Sequence, residues 1–239
     1  MIGAAGRMGS EVCRAVEADP DLQLVARVVH DDDLRVVTKA GADVAVEFTT
    51  PASVKDNVRF CLEHDVHVVV GATGLGPPEL QEVERWAEAS KANAIVAPNF
   101  AIGAVLMMRF AAAAAPHFDS AEVVERHHEK KIDAPSGTAL RTAHLMNEAR
   151  QRSWESPPDE SETVSGSRGG DVDGIHIHSL RLPGSVAHQE VVLGTAGETL
   201  TIRHDSLDRT SFMPGVILAV KKVPSLGPLT VGLEHLLEL

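Results

Sequence analysis

Apolar positions in the first hundred residues fall into short continuous runs separated by segments with helical spacing. Leu22 to Val29, Val44 to Phe48, Val66 to Val70 and Ala94 to Ala97 read as buried strands. Helical spacing covers Glu11 to Val16, Ser53 to His64 and Pro77 to Ser90, the last opening on Pro77-Pro78-Glu79. Such alternation predicts a parallel sheet flanked by helices. The turns Thr49-Thr50-Pro51, Gly71-Ala72-Thr73-Gly74 and Pro98-Asn99-Phe100 then fall at the carboxyl ends of strands. Open parallel sheets hold their ligands there.

Beyond Phe100 the pattern changes. Ile102 to Ala115 is an alanine-rich helix stopped by Pro116. Ala121 to His128 alternates as a strand, with Val123, Glu125 and His127 on one face and Val124, Arg126 and His128 on the other. A polar loop, Glu129 to Pro135, leads to Ser136-Gly137-Thr138, which opens a helix reaching about Arg150. Gln151 to Asp171, rich in Ser, Pro, Gly and Glu, reads as a long loop. Gly174 to Leu182, Val186 to Leu193 and Thr199 to His204 read as three antiparallel strands of an open sheet. Ser211 to Lys222 is helical, and Leu229 to Leu239 supplies a short strand and a terminal helix.

Composition narrows the class. The chain has 239 residues, 44% hydrophobic and 23% charged, which is the globular range. Twenty-two Lys and Arg against 34 Asp and Glu leave a net charge of −12, which repels nucleic acid backbones. Aromatic content of 3%, with no tyrosine, removes the stacking platforms that single-stranded nucleic acid needs. Cys13 and Cys61 sit in apolar stretches without a CxxC pairing and read as small buried hydrophobes in a reducing compartment. Ala92 to Met108 is uncharged, but Pro98-Asn99 interrupts it and it is short for a bilayer span. No secretory pattern opens the chain. A cytoplasmic protein without membrane or nucleic acid partners is expected.

Two segments carry chemistry. Gly3-Ala4-Ala5-Gly6-Arg7-Met8-Gly9 is a G-x-x-G-x-x-G loop running into a helix. Its glycines permit a tight turn, close approach to a pyrophosphate and close helix packing, while the helix amides face the phosphates. The expected class is therefore α/β: a Rossmann-type dinucleotide-binding domain (1–99 and 209–239) plus a central α+β domain (100–208) with an open mixed sheet. Only Met1-Ile2 precede Gly3, so the first strand reads as truncated and the loop as unsupported. Where an acidic residue would meet the NAD ribose stand Val29-His30, with Asp31-Asp32-Asp33 slightly later. Arg27 or His30 is then available to a 2′-phosphate, which leaves the choice between NADH and NADPH open. In the second segment, His127, His128, Lys130 and Lys131 gather beside a helix N-terminus. Lys131 with the Gly137 and Thr138 amides suits a carboxylate or phosphate, and either histidine can exchange a proton near neutrality. His176-x-His178 has a spacing also used by metals, but no cysteine or carboxylate stands at ligand spacing, and no metal is expected.

Glu125-Arg126-His127-His128-Glu129-Lys130-Lys131-Ile132-Asp133-Ala134-Pro135-Ser136-Gly137-Thr138-Ala139 resembles the E-x-H-H-x-x-K-x-D-A-P-S-G-T-A signature of the dihydrodipicolinate (4-hydroxy-tetrahydrodipicolinate) reductase family. Gly3 to Gly9, Gly71 to Gly74, Ala97 to Gly103, Arg168-Gly169-Gly170-Asp171 and Asp208 to Phe212 are similar to further family motifs. Val186 to Glu190 and Gly197 to Leu200 resemble actinobacterial members. The resemblance implies NAD(P)H-dependent reduction of a small cyclic dicarboxylate with loss of water. It implies a cofactor bed at Gly3, Ala4, Ala5, Gly6, Arg7, Met8, Gly71, Ala72, Thr73, Ala97, Pro98, Asn99 and Phe100. His127 matches the proton donor and Lys131 the catalytic lysine, while His128, Gly137 and Thr138 match substrate-binding positions. The family's open central sheet builds a homotetramer. Rival readings are another nicotinamide oxidoreductase, a zinc hydrolase using His127, His128, His176 and His178, and a non-catalytic nucleotide sensor.

Overall fold

Valine-rich runs with no polar face form strands only where both faces can be covered. In the computed structural model, which describes residues 1–155 and 161–237, they do so in the first of two units. That unit comprises Met1–Ile102 and Arg209–Leu239, and the second comprises Gly103–Asp208. Parts of the Gln151–Asp171 loop and of the expected terminal helix lie outside the described residues.

The first unit begins with α1 (Arg7–Ala18), α2 (Arg35–Lys39), β1 (Val44–Glu47), α3 (Val54–Glu63), β2 (His67–Val70), α4 (Pro77–Glu88) and β3 (Ala94–Val96). The second carries α5 (Ile102–Ala114), β4 (Ser120–His127), α6 (Gly137–Ala149), β5 (Gly170–Val172), β6 (Ile175–Arg181), β7 (Ala187–Thr195) and β8 (Glu198–Ser206). The chain then returns to the first unit with α7 (Met213–Lys222) and β9 (Leu229–Val231), closing on a 3₁₀ turn at Leu233–Leu236 where a terminal helix was expected.

In the first unit β1, β2, β3 and β9 lie side by side and parallel. α1 buries Gly9, Val12, Cys13 and Val16, the stripe one helical face provides. Cys13 and Cys61 are both free and buried, and burial pushes the Cys61 thiol up to about 12. Two strand expectations need correction. Leu22 to Val29 forms no strand: Val28 alone is bridged, to Ile2. Its backbone contacts there run to Met1-Ile2, Val28 N donating to the Met1 carbonyl (2.8 Å). Those two residues nevertheless support the glycine loop. Ile2 bridges both Val28 and Glu47, donating to the Val46 carbonyl (2.9 Å) and accepting from Phe48 N (3.1 Å).

β1 ends on a buried acid. Glu47 is fully enclosed, with Oε1 accepting from the Thr49 amide (3.1 Å), the Thr49 hydroxyl and Asn57 Nδ2 (3.1 Å). Oε2 has no partner among the described residues. Burial pushes this carboxyl above its ordinary range, against the pull of those hydrogen bonds.

In the second unit the strand order is β5-β6-β4-β7-β8. β4 runs parallel to β6 and antiparallel to β7, so β6 and β7 are separated by it and are not antiparallel neighbours as expected. Ala121, Val123, Ile175, Ile177, Val191 and Leu193 face Ala111 of α5 and Ala139, Ala143 and Met146 of α6. Buried Arg150, just past α6, donates to the carbonyls of Ala115 (2.9 Å), Phe118, Asp119 (3.3 Å), Arg152 (2.9 Å) and Ser153 (3.0 Å). Its guanidinium lies 4.0 Å from the Trp154 ring centre. The charge is thus satisfied by carbonyl dipoles, which pin the segments before β4 and after α6 together.

A carboxyl whose folded pKa is raised stabilises fully below its unfolded value and loses that contribution as pH rises through the folded one. The thermal midpoint of Glu47→Gln should therefore rise relative to wild type between pH 4 and pH 8, measured by calorimetry. A constant difference across that range would remove the buried carboxylate as a cost to folding.

Candidate active site

The glycine loop and the strand ends meet in the first unit. Gly3, at φ +85°, lies against the Phe48 carbonyl, and a Cβ there would stand 2.7 Å from that oxygen. A Cβ on Gly9 would stand 2.0 Å from the Gly3 carbonyl, so α1 reaches the loop only through glycine. Gly6 ends the loop without a side-chain cap, leaving the first-turn amides of α1 for an external anion. Ile2 also marks where the strand order reverses, with Val28 on one side and β1 on the other. A crevice at such a point is the ligand position of open parallel sheets. Gly71-Ala72-Thr73 follows β2 and Ala97-Pro98-Asn99-Phe100 follows β3, with Asn99 Oδ1 accepting from Ala101 N (2.9 Å). The Phe48 and Phe100 rings lie 5.7 Å apart at these ends. The glycine cradle and the uncapped helix fit a dinucleotide pyrophosphate. At the ribose position, Val29 is exposed and its N–H donates to Asp32 Oδ2 (2.8 Å), while Arg27 is paired with Glu17.

The second unit gathers the histidines and lysine on β4, the following loop and α6. Glu125, at 0% exposure, sits at the centre of the cluster. Its Oε2 accepts from His127 Nδ1 (2.6 Å) and Arg181 Nη1 (2.9 Å); its Oε1 accepts from Arg181 Nη2 (2.8 Å) and the Ser136 amide (3.2 Å). Burial alone would raise this carboxyl, but the bonds from His127, Arg181 and Ser179 outweigh it and hold it at about 2. It is an anion at neutral pH, so the proton in the short bond resides on His127 Nδ1. Nε2 is left as the exchanging nitrogen.

Ser136 caps α6, its hydroxyl accepting from Ala139 N (3.2 Å). Gly137 and Thr138 form the first turn, at the positive end of the helix. Lys131 Nζ holds both carboxylate oxygens of Asp133 at 2.8 Å, and its amide donates to the His128 carbonyl (3.1 Å). That pairing draws Asp133 below its ordinary range. His127, His128, Lys131, Gly137 and Thr138 thus belong to one strand–loop–helix segment.

Two participants were not among the expected site residues. Glu125 carries a sequence signal, since alternation puts it on the face of His127. Arg181 carries none, being brought to His127 by the β4–β6 register 54 residues further along (181 − 127 = 54). His176 and His178 lie on β6, with His178 Nε2 against Glu122 Oε2 (2.8 Å). Among the described residues no group of three or more His, Cys, Asp or Glu is placed to hold a metal ion. Nor is any helix among them long and apolar enough to cross a membrane.

A glycine cradle on a parallel sheet, with a carboxylate-held histidine and a lysine on a separate α+β unit, defines a two-unit protein with a Rossmann-type nucleotide-binding fold. Family profiles for dihydrodipicolinate reductase match the chain almost throughout, the N-terminus over residues 1–100 and the C-terminus over 103–237. The chain is 53% identical to 4-hydroxy-tetrahydrodipicolinate reductase of Streptomyces coelicolor, over 100% of its own length and 97% of that protein's. With the enzyme of that name from Mycolicibacterium smegmatis it shares 52%, over 100% and 98%. The dipicolinate-bound dihydrodipicolinate reductase of Paenisporosarcina sp. TG-14 superposes with a TM-score of 0.90 at 40% identity, covering 98% of this chain and 97% of that one. This chain belongs to the dihydrodipicolinate reductase family.

Two outcomes test the geometry. Gly9→Ala should push the loop off α1 and weaken nicotinamide-dinucleotide binding, tested with NADH and NADPH in turn, by about tenfold or more in a fluorescence titration, roughly 1.4 kcal/mol; an unchanged affinity would dissociate the loop from nucleotide binding. Glu125, held near 2 against an ordinary 4.5, contributes stability above about pH 4.5 that is lost as pH falls towards 2. The unfolding free energy of wild type minus that of Glu125→Gln should hold steady above about pH 5 and shrink below it.

Proposed function

We propose that the chain catalyses NAD(P)H-dependent reduction of 4-hydroxy-tetrahydrodipicolinate to tetrahydrodipicolinate, in the diaminopimelate route to lysine. One hydride and one proton enter and one water leaves. The observation that carries this reading is the folded form of residues 125–139, which puts a proton-exchanging imidazole beside a lysine and a helix N-terminus. NAD(P)H, when bound on Gly3 to Met8, Gly71 to Thr73 and Ala97 to Phe100, supplies the hydride to ring carbon 4.

His127 delivers a proton through Nε2, and Glu125 stabilises the ring while it is charged. Lys131 and the amides of Gly137 and Thr138 take a substrate carboxylate, with His128 beside them. The substrate carboxylate replaces Asp133 on Lys131, and Asp133, 62% exposed as a side chain, can turn to water as it does so. Residues 1–99 with 209–239 serve as the cofactor domain and 100–208 as the substrate and assembly domain. The Val29 side chain offers the ribose neither a carboxylate nor a cation, and the cofactor is NADH, NADPH or both. A homotetramer in the cytoplasm forms through the outer face of the second sheet, where Leu180 is 37% exposed beside half-buried Val124 and Arg126.

A coupled assay tests the reading, with substrate made in place from pyruvate and aspartate semialdehyde and NADH and NADPH oxidation followed separately. Oxidation should require every component. His127→Ala should lower turnover by about 10² or more with NADPH affinity unchanged, and Lys131→Ala should lower turnover and raise KM. Folded protein that binds NADPH but shows no substrate-dependent oxidation would favour a different oxidoreductase or a nucleotide sensor.

A further inference from the structure

The proposed reaction uses His127 and Lys131, yet the most elaborately bonded groups of the site are neither. Arg181 makes a two-pronged contact to Glu125, and the same Nη2 donates to the Asp133 carbonyl at 2.6 Å. The next residue, Leu182, donates its amide to the His127 carbonyl at 2.9 Å. Arg181 therefore touches both halves of the site. Through Glu125 it meets the histidine, and through Asp133 it meets the loop that carries Lys131. Glu125 in turn holds the Ser136 amide at the mouth of α6.

We propose that Glu125 and Arg181 are positioning residues that act as one unit. Glu125 fixes which ring nitrogen of His127 bears the resting proton and steadies the imidazolium. Arg181 keeps Glu125 ionised and anchors the Lys131 loop in register with β4. This rests on the reductase reading for its kinetic consequences, but not for its effect on the ring.

The physical argument is one of alternatives. A fully buried carboxylate with only a histidine for company would take up the proton itself, and the ring would lose its orientation. Two parallel N–H bonds from a guanidinium prevent that, and a lysine could not reproduce their fork. The charged and titratable groups bordering His127 are Glu125 on its own strand, Arg181 opposite it on β6, and His128, Lys131 and Asp133 on the loop. On β7 the register partner of His127 is Ala187, so that side supplies no charge at the same level.

The test pairs a spectroscopic readout with kinetics on the full chain. In ¹⁵N-histidine NMR, wild-type His127 should appear as the Nδ1–H tautomer. Glu125→Gln should mix the tautomers. In the coupled assay, Glu125→Gln should lower kcat by about 10 to 10² with KM changed less than threefold. Arg181→Lys, which keeps the charge but loses the fork and the Asp133 contact, should raise KM about threefold to tenfold, while Glu125→Asp should recover part of kcat. A His127 tautomer and a kcat unmoved by Glu125→Gln would overturn the proposal. NMR shifts as expected in protein without reductase activity would uphold the positioning role and sink the reaction assignment instead.

Discussion

A buried carboxylate must either give up its charge or be supplied with donors, and the second unit is organised around supplying them to Glu125. The donors come from three places in the chain: His127 two residues on, Ser136 at the start of α6, and Ser179 and Arg181 on β6. Meeting that one requirement fixes the parallel β4–β6 register, the exit of the loop from β4 and the entry angle of α6. Removing any donor would leave the others holding a desolvated charge. The site geometry and the packing of the unit are therefore one constraint seen from two sides.

Glu47 is the instructive contrast. It too is fully enclosed at the end of a strand, but its donors are a hydroxyl, an amide and an asparagine, with no cation among them. Desolvation wins there and the carboxyl rises, whereas at Glu125 the cationic donors win and it falls. Neutral hydrogen bonds return less of the hydration energy than charge-assisted ones do. The two glutamates share a burial class and differ in partners, and the partners decide the sign.

Much of this was legible in the chain, for reasons that differ by element. Strands such as Ala94–Val96 announce themselves because both faces are apolar, and α6 because Ser136 marks its start. His127, Lys131 and Gly137 lie within a dozen residues of one another, so a local reading assembles them. Leu22 to Val29 misled because strand formation depends on the neighbour, and of this run Val28 alone is bridged, to Ile2. The short helix Arg35–Lys39 has too few residues to show a period. Arg181 was out of reach because nothing near it in sequence states that β6 lies beside β4.

Under the proposed function, the resting site explains how an acidic protein can keep one lysine ready for a substrate carboxylate. Lys131 is satisfied by Asp133 and Arg181 by Glu125, so neither cation stands desolvated and alone. The two pairs are not equivalent. Asp133 is largely exposed, and its carboxylate recovers full hydration when it leaves Lys131. Glu125 is wholly enclosed and has no such exit. Under the proposed function, an incoming carboxylate therefore exchanges with Asp133 and leaves the Glu125–Arg181 pair intact. The exchange trades one ion pair for another of similar strength, so affinity must come from what Asp133 cannot offer: a second carboxylate and a ring held against the rest of the site. That asymmetry favours dicarboxylates over simple acids, because a lone carboxylate gains little over the one already present.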